Sequence, residues 1–115
     1  MEQKVRFVVR LHIGLRRCID EEAARRGIRP ASLAGAMLER QALRARKTGE
    51  LPHPLAEDYL PARTRGVVSA GPQMSLFVSP EAAQAVEALS EQTGDSVRRV
   101  IAGLLLNDPV CELLV

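Results

Sequence analysis

Tryptophan is absent, and one Tyr with two Phe leaves aromatics at 3% of the 115 residues. Stacking platforms for single-stranded nucleic acid and aromatic cages for cationic ligands therefore have little to be built from. Cysteine is nearly absent too: Cys18 and Cys111 lie far apart, without the paired spacing of a metal knuckle or a disulfide framework. The two histidines, His12 and His53, have no carboxylate or cysteine at ligand spacing, which argues against a metal centre or a histidine general base. No Gly-rich phosphate loop, nucleophile elbow or Walker-type lysine occurs. Long apolar runs are missing as well, and the Met-Glu-Gln-Lys start leads straight into an alternating segment. Neither signal peptide nor membrane span is expected, and a reducing, cytoplasmic setting fits. With 12.6 kDa, enough for one small domain or two very small ones, the chain is expected to be neither an enzyme nor a cofactor carrier.

What is present is an ordinary folding composition, 46% hydrophobic and 26% charged. The formal net charge of +2 conceals a split along the chain. Residues 1–47 carry twelve Lys/Arg against five Asp/Glu, a net +7, whereas residues 48–72 are at −1 and residues 73–115 at −4. Such asymmetry points to a polyanionic partner for the first part, or to a solvated basic face.

An alternating segment followed by two helices around a glycine occurs twice. In the first copy, Val5, Phe7, Val9 and Leu11 share one face of a strand, with Arg6, Val8 and Arg10 on the other. Leu15, Cys18, Ile19, Glu22 and Ala23 then recur at helical spacing up to Gly27, a residue suited to the left-handed position after a helix end. A second helix begins near Pro30, buries Leu33, Ala34, Met37, Leu38 and Ala42, and ends in the basic run Arg44, Arg46, Lys47. In the second copy Met74, Leu76 and Val78 alternate with Ser75 and Phe77, Ser79-Pro80-Glu81 starts a helix, and Ala82, Ala85, Val86 and Leu89 form its stripe. After Gly94, Asp95 or Ser96 caps a helix carrying Val97, Val100, Ile101, Leu104 and Leu105. Gly27 and Gly94 lie 67 positions apart, and at that offset Val9, Leu11, Ile19, Leu33, Met37 and Leu38 fall on Leu76, Val78, Val86, Val100, Leu104 and Leu105.

The chain divides accordingly into a first copy, 1–47, a linker, 48–72, and a second copy with a C-terminal tail, 73–115. Four prolines and three glycines mark the linker, whose Leu51, Leu55, Tyr59 and Leu60 are candidates to dock on the folded units. Neither copy is large enough to be stable alone, and each would leave a strand with two unpaired edges. The simplest solution pairs the two strands antiparallel with the four helices packed behind. The expected fold is mainly α with a two-stranded antiparallel β-ribbon. One ribbon face is then apolar, and the other presents Arg6, Val8 and Arg10 beside Ser75 and Phe77. That outer face suits the major groove of DNA, where arginine bridges guanine O6 and N7 and an apolar group meets the thymine methyl. Edge charges that discourage aggregation are the plainer account of Arg6 and Arg10.

Strand, helix, Gly-centred turn and helix in about forty residues, with alternate polar residues on the strand, resembles the ribbon-helix-helix DNA-binding family of the Arc/MetJ type. The resemblance implies a tandem form in which the two copies make an intramolecular pseudo-dimer. It implies that Arg6, Val8, Arg10, Ser75 and Phe77 read bases, and that the starts of the second helices grip backbone phosphates, at Ala31 and Ser32 and at Asp95 and Ser96. Phe77, apolar where the family's readers are polar, and the acidic Asp95 depart from its pattern. Two copies in one chain resemble the tandem members of the family known from conjugative-plasmid relaxosomes, which bind at transfer origins; most single-copy relatives are repressors or antitoxins. Expected partners are double-stranded DNA, further copies on adjacent sites, and a relaxosome or toxin protein. The alternative is a protein-interaction module, such as an antitoxin-like partner, using the acidic second half and the apolar tail 110–115.

Overall fold

Alternation in the two short apolar segments is realised as a two-stranded antiparallel sheet. The computed structural model describes residues 3–11, 13–49 and 73–110; the linker residues 50–72, His12, His53 and the tail from Cys111 lie outside them. Strand β1 (Val5–Val9) pairs with β2 (Met74–Val78) in a register that sets Val5 opposite Val78, Arg6 opposite Phe77, Phe7 opposite Leu76, Val8 opposite Ser75 and Val9 opposite Met74. Directly opposed residues share a face, so Val9, Leu11, Met74, Leu76 and Val78 point inward together and are buried. Val5 and Phe7, on the same face, are only half-buried and pack at the margin of the core. Period two assigns them a side but no depth; the helix that closes over the ribbon packs on β2, leaving this end of β1 nearer the surface.

Four helices complete the fold: α1 (Ile13–Arg26), α2 (Pro30–Thr48), α3 (Pro80–Thr93) and α4 (Val97–Leu106). Adding 67 to the bounds of α1 gives those of α3, and adding it to Pro30, where α2 starts, gives Val97, where α4 starts. Local chemistry sets these ends. Gly27 and Gly94 take φ of 67° and 78° after the first and third helices, a conformation glycine enters without steric cost. The Ser79 hydroxyl accepts from the Ala82 amide to cap α3, and the Ser96 hydroxyl accepts from the Arg99 amide to cap α4. Of Asp95 and Ser96, the cap is therefore Ser96.

Helix α2 is the hub, packing on β2 and on the other three helices. Its stripe Leu33, Ala34, Met37, Leu38 and Ala42 is buried, and it joins Leu15 and Ile19 of α1, Val86 of α3 and Val100, Ile101, Leu104 and Leu105 of α4 in one core. Each such large side chain contributes about 1.5–3 kcal/mol by leaving water. Cys18 packs against this core half-buried, its thiol donating to the Val110 carbonyl at 3.0 Å.

Two polar junctions tie the halves together. Asp108, 1% exposed, accepts from Arg40 Nη2 at 2.7 Å and Nε at 3.1 Å and from Gln41 Nε2 at 3.1 Å, fixing the end of α4 to the middle of α2. Glu39 accepts from the Ser79 amide at 2.7 Å and from the Ser79 hydroxyl at 2.6 Å, so α2 braces the start of α3.

Candidate functional site

The ladder register brings the outward residues onto adjacent rungs. Arg6 faces Phe77 and Val8 faces Ser75; Arg10 lies exposed just past the end of β1. Arg6 Nε donates to Ser75 Oγ at 3.1 Å, a diagonal bond that crosses the ladder. It braces the guanidinium over the ribbon and leaves both Nη groups to donate elsewhere. Among the described residues, Phe77, 52% exposed, Val8, 45% exposed, and Ile28 are the large hydrophobic side chains that stand out into solvent. Val8 and Phe77 stand diagonally across the ladder on the same face of the ribbon, so their exposed apolar groups lie on one side.

Beside Phe77 opens a groove of about 630 Å³ between the ribbon and the first half of α2. Ala31 and Ser32 line it, as do Lys4, Arg29, Arg40 and Glu39. The start of α2 is bounded by Arg29, whose side chain makes no cap bond, with Pro30 at the first helical position. Gly35 in the same wall lets the helix approach the Phe77 backbone closely.

The residues at the start of α4 stand differently. Ser96 Oγ is engaged in capping α4, and Asp95 Oδ1 lies 3.7 Å from Arg99 Nε. Neither lines the groove. Thus Arg6, Val8, Ser75 and Phe77 form one surface, with Ala31 and Ser32 beside it, while the start of α4 carries its own side-chain cap away from the groove.

Lys4, Arg40 and Gly35 were not evident as site residues from the sequence, because their roles depend on how α2 docks. One signal was available for the junction behind them: Gln41 falls on the apolar stripe of α2, and a buried amide demands a partner, which is Asp108. Among the described residues, no three His, Cys, Asp or Glu side chains come together as a metal site, and none of their helices is long and apolar enough to cross a membrane.

Chemically, the surface offers a braced guanidinium, an exposed arginine, a hydroxyl and two exposed apolar groups on a ribbon, next to a groove with further cations. Compared with family models, curated proteins and solved structures, the chain matches none of them.

Proposed function

We propose that the protein binds double-stranded DNA sequence-specifically by laying the outer face of its ribbon in the major groove, as a tandem ribbon-helix-helix chain whose copies, 1–47 and 73–115, form a pseudo-dimer. The observation that carries this reading is the antiparallel ladder that sets Arg6 and Val8 of β1 beside Phe77 and Ser75 of β2 on one exposed face. A two-stranded ribbon fits the major groove, and arginine with an apolar neighbour suits guanine and the thymine methyl. The shared 67-residue offset of the helix starts and the net +7 of residues 1–47 support it further. The groove with Lys4, Arg29, Ala31 and Ser32 is the place for a backbone phosphate. Relaxosome accessory factor and transcriptional repressor are the two roles consistent with such a module in the cytoplasm.

Titration of labelled duplexes at several salt concentrations tests the reading. Affinity should fall steeply with salt, because each neutralised phosphate releases counterions. Arg10→Ala should cost about 1–3 kcal/mol on the preferred site and much less on random DNA. Salt-insensitive binding, or none, would remove DNA as the partner.

A second reading, an antitoxin-like protein-interaction module, draws on the exposure of Val8 and Phe77. It predicts a protein partner whose binding is lost in Phe77→Ala and little altered in Arg10→Ala.

A further inference from the structure

On a palindromic duplex the two half-sites are identical, so a protein reading both must present the same side chains twice. Here the two strands present different ones. The outward positions of β1 and its flanks are Lys4, Arg6, Val8 and Arg10; those of β2 and its N-terminal flank are Gln73, Ser75 and Phe77. Every cation in this set comes from the first strand. With the 67-residue offset that relates the helices, Arg6 corresponds to Gln73, Val8 to Ser75 and Arg10 to Phe77. Val8 and Ser75 are also direct ladder partners, so the axis relating the copies passes through that rung.

Chemistry differs at all three positions. At one end of the ribbon Arg6 and Phe77 share a rung, with Arg6 held by Ser75. At the other, the outward residues are Arg10 and Gln73, both exposed. Arginine favours guanine, glutamine favours adenine, and an apolar ring favours the thymine methyl. The backing of the ribbon differs as well: Gly35 lets α2 abut the Phe77 backbone, whereas the corresponding position in α4 is Ala102.

We infer that the duplex this chain selects is non-palindromic and is bound in a single orientation, with the Arg6–Phe77 rung and Ser75 as the specificity-determining group of one half-site. Ser75 is a positioning residue, acting through the Arg6 guanidinium. The inference rests on the DNA-binding reading above.

Selection from random duplexes, with the full chain and with variants, tests it. The expected motif lacks inverted-repeat symmetry. Arg6→Ala relaxes a guanine position on one side only, by about tenfold in base preference, and Phe77→Ala relaxes a different position in the same half. Ser75→Ala weakens the guanine preference at the Arg6 position with little change in binding to random DNA. The triple variant Q73R/S75V/F77R, which gives β2 the outward residues of β1, converts the motif toward an inverted repeat. A perfect inverted repeat from the unaltered chain, or an unchanged motif from the triple variant, would overturn the inference while leaving DNA binding intact. Absence of salt-sensitive duplex binding would instead overturn the reading beneath it.

Discussion

Gly35 of α2 lies beneath the Phe77 peptide of β2: a Cβ at that glycine would stand 3.2 Å from the Phe77 carbonyl oxygen and 3.6 Å from its amide nitrogen. The helix and the strand touch backbone to backbone there, below the exposed Phe77 ring. Gly35→Val should therefore cost about 2 kcal/mol by overpacking, even though valine is no worse than glycine within a helix. Urea denaturation measures it; an unchanged midpoint would mean that the contact gives way freely.

The junction of Asp108 with Arg40 and Gln41 predicts unequal effects. Arg40→Ala leaves a carboxylate in the core without its cation and should cost about 2–4 kcal/mol. Asp108→Ala frees a half-exposed Arg40 to hydrate but strands the Gln41 amide, for about 1–3 kcal/mol. Since both remove one contact, the double variant should lose less than the two losses combined. Strict additivity in denaturant melts would contradict a shared junction.

Ser79 serves two helices, capping α3 and donating to Glu39 of α2. Ser79→Ala should destabilise by about 1–2 kcal/mol, and Ser79→Thr should recover most of that. Equal losses in the two variants would argue that the hydroxyl contributes little.

Glu22 carries the pH prediction. Its hydrogen bond from Arg26 holds the carboxyl below the ordinary glutamate range, with the charge of Arg25 adding to the effect against some desolvation. A depressed carboxylate stabilises the fold above its unfolded-state pKa, and that contribution is lost as pH falls through the lower folded value. Carboxyl NMR titration should show Glu22 midway at lower pH than exposed glutamates, and Arg26→Ala should move it back up. A midpoint insensitive to Arg26 would refute the assignment.

Most helix boundaries were legible in the sequence because short-range chemistry sets them: Gly27 and Gly94 need left-handed φ, Ser79 and Ser96 supply cap oxygens, and Pro30 and Pro80 fit first helical turns. The outward face of the ribbon was legible from alternation alone, since Arg6, Val8, Ser75 and Phe77 hold parity whatever packs behind them. Depth was not: Val5 and Phe7 share the inward face with Val9 yet stay half-buried. Nor were the contacts of Asp108 with Arg40 and of Ser79 with Glu39, which join residues 68 and 40 positions apart. A periodic pattern names the side a residue faces, whereas its partner across the core depends on how helices dock. The groove holding Lys4, Arg29 and Arg40 depends on that docking as well.

Because β1 and β2 belong to one polypeptide, completing the ladder is a first-order event with an effective concentration set by the tether. A ribbon assembled from separate subunits falls apart on dilution, whereas the pairing equilibrium of one closed within a single chain does not depend on protein concentration.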